Sequence, residues 1–433
     1  MMVAASRMKK ILLGLTAACL FVLPAGIIVA DWMRDIDPSP ALTRAPHTAA
    51  QHSRGAYLAR AGNCMACHTA RGGQPYAGGR IVPTPFGDIV TTNITPDLQT
   101  GIGSWREEDF YRALHLGKSR DGHFLYPAFP YPNFTRITRA DADDLFAFLQ
   151  TIQPVQQPNQ VSSLRFPFNQ RWLLPLWRVL YFSAGEPVAA STQSPQWQRG
   201  AYLVEGLGHC AACHTARDFL GGTINHRHLA GGLIPMLNWT APSLVGTANV
   251  DEKRQQDTAQ LLATGVSTSA AVAGPMAEVV SGSLQYLTRA DIDAMVDYLQ
   301  SLAADTPPQA VPGDPLDDSA KVLLLRGARL YEDHCSSCHQ ADGSGVAAAY
   351  PTLAGKASLT TAIPVNAIRM VLNGGYPPST TGNPRPYGMP PFASAMTDAE
   401  VAAVVSFIRR SWGNQGTLVS PQDVGRWRGV QVN

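Results

Sequence analysis

Three stretches of the chain alternate apolar and polar residues with the period of an amphipathic helix. They run from Thr138 to Ile152, from Thr288 to Leu302 and from Thr397 to Trp412. Each opens on Thr-x-x-Asp or Thr-x-x-Glu, a helix N-cap pattern in which the hydroxyl accepts a bond from a backbone N–H that the first turn leaves unpaired. The sequence therefore predicts three helices of similar length, spaced along the chain.

A second pattern recurs upstream of each of these helices. Its copies are Arg54-Gly55-Ala56-Tyr57-Leu58, Arg199-Gly200-Ala201-Tyr202-Leu203 and Arg326-Gly327-Ala328-Arg329-Leu330. An aromatic residue also stands ten residues after each capping threonine, as Phe148, Tyr298 and Phe407. A glycine on one helix and an aromatic on another allow two helices to cross closely. The chain is thus predicted to repeat one small helical domain three times.

The N-terminus carries Arg7, Lys9 and Lys10, followed by a run from Ile11 to Ala30 without a charge. Such a run is long enough to span a bilayer, so residues 1–31 are predicted to be a signal peptide or a membrane anchor. The missing small-x-small cleavage site favours the anchor. The apolar run continues past Cys19, which argues against a lipoprotein site there. With the basic cluster inside, the rest of the chain is expected to lie on the periplasmic side of the bacterial inner membrane.

Composition limits the function further. The 433 residues leave room for about three domains. Charged residues make up 15% and the formal net charge is +2, so there is no basic field suited to nucleic acid. The 33 prolines and 38 glycines indicate small helical units joined by long ordered loops.

Six of the seven cysteines lie in three copies of Cys-x-x-Cys-His. The cysteines are Cys64 and Cys67, Cys210 and Cys213, and Cys335 and Cys338; the histidines are His68, His214 and His339. This motif is the signature of c-type haem attachment, in which two thiols bind the porphyrin and the histidine coordinates its iron. A zinc half-site or a redox pair does not require the histidine in every copy. We expect three covalent haem c groups.

An electron-transfer haem usually has a second axial ligand, most often methionine. Met389 precedes the third predicted helix, and Met276 occupies the corresponding loop of the second domain. They are preferred over Met396, Met236 and Met295.

The first domain has no methionine between His68 and Phe168, and Phe129 stands where one is expected. Phenylalanine cannot ligate iron. His123 and His115 are possible replacements, and a five-coordinate haem is the alternative. Histidine ligation would lower the potential of this haem relative to the other two.

These patterns divide the chain into domains at residues 50–155, 196–305 and 321–414. The segments between them are linkers at 156–195 and 306–320, and residues 415–433 form a C-terminal tail. The first linker is rich in aromatic residues, with Phe166-Pro167-Phe168 and Trp172 to Trp177. It is expected either to pack as a strap over the domain junction or to contact a partner subunit or the membrane surface.

The glycine, aromatic and haem motifs resemble the class I cytochrome c fold, which implies an all-α chain of three such domains in tandem. From about Gly55 onward, the chain resembles the tri-haem cytochrome c subunit of bacterial membrane-bound dehydrogenase complexes, including alcohol, gluconate and fructose dehydrogenases. The resemblance is carried by Thr92 to Asp97, Gly101-Ile102-Gly103, Asp121-Gly122-His123, Tyr126 to Tyr131, Gly206 to His209 and Phe407 to Asn414.

The resemblance implies an electron-transfer subunit without a catalytic site of its own. Electrons would come from a dehydrogenase catalytic subunit and pass to ubiquinone or a terminal oxidase at the membrane. Phe129 is similar to the form found in cytochrome subunits that accompany molybdenum enzymes oxidising aldehydes or N-heteroaromatics. A haem peroxidase and a free multihaem shuttle are the alternative functions.

Overall fold

The computed structural model describes residues 47–185, 192–245, 251–302 and 316–429. The predicted signal or anchor at residues 1–31 lies outside the described residues, as does most of the linker at 306–320. Within the described ranges, no helix is long and apolar enough to cross a membrane.

The first domain and its linker contain α1 (Ala49–Ala61), α2 (Cys64–Cys67), β1 (Ile81–Thr84), β2 (Gly87–Val90), α3 (Glu107–Leu116), α4 (Tyr131–Phe134), α5 (Arg139–Leu149), β3 (Ser163–Leu164) and α6 (Leu174–Tyr181). The second contains α7 (Pro195–Ala201), which continues as a π-helix (Tyr202–Leu207), α8 (Ala211–His214), β4 (Gly232–Ile234), β5 (Trp239–Ala241), α9 (Glu252–Thr264), α10 (Pro275–Gly282) and α11 (Arg289–Ser301). The third contains α12 (Asp318–His334), α13 (Ser336–His339), α14 (Val365–Asn373), α15 (Asp398–Arg410) and α16 (Pro421–Arg428).

The three predicted capped helices are present. The hydroxyls of Thr138, Thr288 and Thr397 accept hydrogen bonds from backbone N–H groups three residues on, at 3.2, 3.2 and 3.3 Å. These threonines are the N-caps of α5, α11 and α15. The N-termini therefore form as the residue pattern predicts.

The repeated glycines lie where two helices of one domain touch. A Cβ atom built on Gly55, Gly200 or Gly327 would lie 1.9, 1.9 or 2.2 Å from a carbonyl oxygen of α5, α11 or α15. It would also meet the Cβ of Phe148, Tyr298 or Phe407 at 2.7 to 2.8 Å. The predicted crossing of a glycine on an aromatic is confirmed in all three domains, because only glycine permits this separation.

The all-α expectation is confirmed only in part, because the chain also forms two small antiparallel sheets. One has the order β1-β2-β3 and the other is the pair β4-β5. β1, β2, β4 and β5 lie in the long loops that follow a Cys-x-x-Cys-His motif, and β3 lies in the aromatic linker. Such segments must pair their backbone groups where helices do not. The strands are two to four residues long.

The aromatic linker packs as a strap across the first two domains. Its β3 pairs with β2 of the first domain, while Trp177 Nε1 donates to Leu220 O of the second domain at 3.1 Å. Tyr181 also donates to Asp218 of the second domain, at 2.7 Å. Its outer side exposes Phe166 and Trp172, at 80% and 65%.

The C-terminal segment is not a simple tail. Residues 421–428 form α16, and Val419 and Val424 are buried in the core of the third domain. Pro421 and the Ser420 capping box start this helix. The third domain therefore extends beyond residue 414, because these two valines complete its apolar core.

Candidate haem-binding sites

Each Cys-x-x-Cys-His motif forms one helical turn that follows the first helix of its domain. These turns are α2, α8 and α13. The backbone N–H of each histidine donates a hydrogen bond to the backbone carbonyl of the first cysteine in its motif, at 3.0, 2.9 and 2.9 Å. The turn thus brings two thiols and an imidazole to one end of the helix pair that the glycine crossing holds together.

All three histidines make the same second contact. Nδ1 of His68, His214 and His339 lies 2.7, 2.8 and 3.0 Å from the carbonyl oxygen of Thr92, Pro242 and Pro351, respectively. A carbonyl oxygen only accepts, so Nδ1 must carry the proton and donate. The lone pair of the neutral ring is then on Nε2, the tautomer and orientation that a metal-ligating histidine requires.

The histidine environments favour this neutral form. Burial lowers the pKa of His68, His214 and His339, and the hydrogen bond to the carbonyl opposes this only partly. A protonated imidazole has no lone pair for iron. The structure therefore keeps all three rings in the state that can bind haem iron.

The cysteines fit a thioether role better than a thiolate role. Burial raises the pKa of Cys64 and Cys210 to about 12 and that of Cys335 to about 11. Zinc ligands and redox-active cysteines are thiolates with lowered pKa values. In the described parts of the chain, no group of three or more His, Cys, Asp or Glu side chains could hold a metal ion. The residues present fit covalent haem attachment.

Met389 lies in a loop pinned against the end of α14. Its N–H donates to Gly375 O at 2.8 Å, and the N–H of Gly375 donates to Met389 O at 3.0 Å. The side chain is half-buried against the same core cluster that contains Cys335. Met396, over which the sequence analysis preferred Met389, is 4% exposed in that core.

In the second domain, Met276 lies in the first turn of α10, half-buried against the same core as Cys210. Met295 is buried within α11 and Met236 is exposed in the β4-β5 turn, at 2% and 47%. Of the three, Met276 alone is partly buried, and its helix α10 also packs against α2 of the first motif.

The first domain places its candidate ligands differently. His123 is exposed in the turn between Lys118 and Phe124, where Nδ1 contacts the carboxylate of Asp121. His115 lies in the last turn of α3 and stacks on Tyr111 at 5.0 Å. Phe129 is half-buried and packs on Phe134 at 5.4 Å. The loop that holds Met389 in the third domain thus contributes an aromatic ring here.

Two arginines that the sequence did not single out support the first two motifs. Arg80 NH1 donates to Ala66 O at 2.6 Å, and Arg217 NH2 donates to Ala212 O at 3.1 Å. Both acceptors occupy the residue before the second cysteine. The carbonyl acceptors have no local sequence signal, because they follow their histidines by 24, 28 and 12 residues. The arginines have none either, because they follow their acceptors by 14 and 5 residues.

Comparisons with known proteins agree with this geometry. The family model described as Cytochrome c matches residues 52–153, 198–303 and 324–412. The chain is 40% identical over 395 residues to the gluconate 2-dehydrogenase cytochrome c subunit of Pantoea cypripedii, covering 87% of this chain and 89% of the relative. It is 39% identical to the alcohol dehydrogenase (quinone) cytochrome c subunit of Gluconobacter oxydans, covering 87% and 81%.

Another relative is much longer. A nicotinate dehydrogenase subunit of Pseudomonas putida is 38% identical over 404 residues, which cover 92% of this chain and 33% of that protein. Three matched segments each contain one Cys-x-x-Cys-His turn, one glycine crossing and one histidine bonded to a carbonyl. The chain belongs to the cytochrome c family and carries three cytochrome c domains in series.

Proposed function

We propose that the chain is the electron-transfer subunit of a periplasmic dehydrogenase complex and binds three haem c groups. The observation that carries this is the repeated histidine geometry, in which three Nδ1 atoms bond to backbone carbonyls. The haems would attach to Cys64 and Cys67, Cys210 and Cys213, and Cys335 and Cys338. Haem iron, when bound, supplies a one-electron couple.

The chain's own residues would fix the haem environment. His68, His214 and His339 would be the ligands common to all sites, and Met276 and Met389 the sixth ligands of the second and third. For the first site, the lack of a methionine between His68 and Phe168 favours a haem without a methionine ligand. His123, His115 and a five-coordinate state are the choices there.

The second domain lies in contact with both others, which supports an electron path through it. Asn366 of α14 pairs with Thr240 of β5 through two hydrogen bonds of 2.8 and 2.7 Å. Thr240 is two residues from Pro242, whose carbonyl orients His214. Ser283 of the second domain donates to Ala61 O of the first at 3.3 Å. Contacts on both sides thus reach segments next to a haem motif.

Partners are proposed from the relatives. The gluconate and alcohol dehydrogenase relatives are named as cytochrome c subunits, which supports a dehydrogenase catalytic subunit as electron donor. Ubiquinone or a terminal oxidase at the periplasmic side of the inner membrane would accept the electrons. The exposed aromatic side chains of the strap, Phe166 and Trp172, support contact with a membrane surface or a partner.

Haem counting tests the first part of the proposal. The chain is produced with c-type maturation, and haem per chain is measured by pyridine haemochrome and by intact mass. We expect three haems in the wild type and two in each of the paired variants Cys64→Ala/Cys67→Ala, Cys210→Ala/Cys213→Ala and Cys335→Ala/Cys338→Ala. A wild-type count below three contradicts the proposal.

Co-purification tests the second part. A stable membrane complex with a large dehydrogenase subunit is the expected result, whereas a monomeric soluble pool supports a free shuttle. Peroxide reduction by the isolated chain would favour the peroxidase alternative instead.

The donor enzyme has a second candidate class. The nicotinate dehydrogenase relative and the phenylalanine at position 129 both favour an enzyme that oxidises an N-heteroaromatic compound or an aldehyde. The large subunit that co-purifies with the chain decides between the classes. A molybdenum cofactor in that subunit supports this candidate, and a quinone or flavin cofactor supports the alcohol or sugar dehydrogenases.

A further inference from the structure

The first two domains exchange identical contacts. The hydroxyl of Tyr57 in α1 donates to Asp291 of α11 at 2.6 Å, and the hydroxyl of Tyr202 donates to Asp141 of α5 at 2.7 Å. Each tyrosine comes from the Arg-Gly-Ala-Tyr-Leu motif of its own domain and reaches the aspartate of the other. A contact in which each partner offers the same patch is isologous, as in a two-fold dimer.

Each hydroxyl also reaches the N-cap of the other domain. The backbone N–H of Thr288 donates to the Tyr57 hydroxyl at 3.1 Å, and that of Thr138 donates to the Tyr202 hydroxyl at 3.3 Å. Each phenol therefore both donates and accepts. It joins the start of the partner domain's C-terminal helix at two points, which fixes orientation as well as distance.

Arginines from the same motif hold the two aspartates in place. Arg54 bonds to Asp141 at 2.6 Å and Arg199 bonds to Asp291 at 2.8 Å, each pair within one domain. The carboxylate therefore already has a fixed position when the other domain's tyrosine arrives. Bonds to a charged, pre-positioned acceptor are the stronger class of hydrogen bond.

The two domains share one apolar core. Leu58 and Ala61 of the first domain and Leu203 and Leu207 of the second belong to a single buried cluster. A Cβ atom built on Gly62 would lie 3.4 Å from Cys64 Sγ and 3.5 Å from Leu207 Cδ2. The ring of Phe134 is 5.5 Å from that of His209, which immediately precedes Cys210. The shared core thus reaches residues next to both of the first two haem motifs.

The third domain is built differently. Arg329 occupies the position of Tyr57 and Tyr202 in the third copy of the motif, and the residues of this domain form a separate buried cluster. Its contact with the second domain uses unlike elements, for example Asn366 with Thr240 and Lys356 with Ser269 at 3.0 Å. The reciprocal tyrosine–aspartate contact therefore joins the first two domains and does not extend to the third.

We propose that Tyr57 and Tyr202 are positioning residues that lock the first two domains into one two-haem unit, with the third domain attached to it as a separate module. The inference rests on the proposed function, because its purpose is a fixed separation between the first two haems. Electron transfer falls exponentially with the distance between donor and acceptor, so a rigid contact at this place sets its rate.

The test compares Tyr57→Phe, Tyr202→Phe and the double variant with the haem-loaded wild type. Phenylalanine keeps the ring and removes only the bonding hydroxyl. Hydrogen exchange read by mass spectrometry should show a crossed effect. Tyr57→Phe speeds exchange at the start of α11 in the second domain, and Tyr202→Phe speeds it at the start of α5 in the first, each by about tenfold to a hundredfold.

Electron redistribution gives the second readout. One electron is delivered by pulse radiolysis. The redox state of the first haem is then followed through the spectral difference that its distinct ligation gives it. In the double variant, exchange between the first and second haems should slow severalfold, while exchange between the second and third is unchanged. Tyr181→Phe is the matched control, because it removes a tyrosine–aspartate bond of 2.7 Å outside the reciprocal contact. It should leave both rates at wild-type values.

Two results overturn the inference. One is wild-type exchange between the first two haems in the double variant, and the other is faster hydrogen exchange only in the domain that carries the substitution. Failure of the proposed function looks different, since a wild-type chain with fewer than three haems fails before any variant is compared.

Discussion

The substitution Gly327→Ala probes the helix crossing on which each domain is built. A methyl group there would lie 2.2 Å from Ala403 O and 2.7 Å from Phe407 Cβ. Ordinary contact begins at 3.4 Å, so α12 and α15 would have to separate by 1.2 Å. The obstacle is a backbone carbonyl, which cannot rotate away as a side chain could.

Two opposing effects set the magnitude. Overpacking of this kind costs about 1–3 kcal/mol, and a backbone obstacle places the cost at the upper end. Alanine recovers about 1 kcal/mol of helix propensity relative to glycine. The net expectation is a loss of about 2 kcal/mol in the stability of the third domain, or about thirtyfold faster exchange of its most protected amides.

Hydrogen exchange of α15 in the intact protein measures this loss. Gly425→Ala is the matched control, because Gly425 lies in α16 of the same domain and its nearest neighbour is the end of the Asp398 side chain at 3.2 Å. It should be neutral or stabilising by up to about 1 kcal/mol. Equal effects of the two substitutions, or no acceleration in Gly327→Ala, would refute the close-crossing argument.

Three further outcomes are expected. Met389→Ala should lower the potential of one haem and remove the absorption of a methionine-ligated ferric haem, whereas Met396→Leu, in the core cluster on which Met389 packs, should change neither. An unaltered spectrum in Met389→Ala would exclude this ligand. Arg409→Met should destabilise the third domain by about 3 kcal/mol or more in a denaturation experiment. The reason is that Arg409 is fully buried and donates to the carbonyls of Thr361 and Thr417, each at 3.0 Å. A loss of stability no larger than that of Arg410→Met would contradict this. Burial raises the pKa of Asp291, but the bonds from Arg199 and Tyr57 outweigh it and hold that pKa below its usual range. The ionised Asp291 carboxylate therefore stabilises the fold above about pH 4, and this stabilisation is lost as the pH falls through the lowered pKa. The loss measured by acid unfolding should be smaller in Arg199→Gln.

The site was predictable to the extent that its chemistry uses residue types at fixed spacing. Cys-x-x-Cys-His, the capping threonines and the glycine with its aromatic partner are local patterns, and the structure places the last two as expected. The carbonyls of Thr92, Pro242 and Pro351 were not predictable. Every residue has a carbonyl, and only the loop path decides which one meets a histidine.

The sequence alone determined three cytochrome-like domains, three attachment motifs and the unusual first domain, because periodicity and short motifs act within a few residues. The tertiary structure decided how the domains are grouped. Tyr57 and Asp291 are 234 residues apart, and no local pattern links them until the first two domains pack on each other. The same packing turned a repeated Arg-Gly-Ala-Tyr-Leu motif from a mark of internal repetition into a reciprocal contact, because each tyrosine finds its partner only in the other copy.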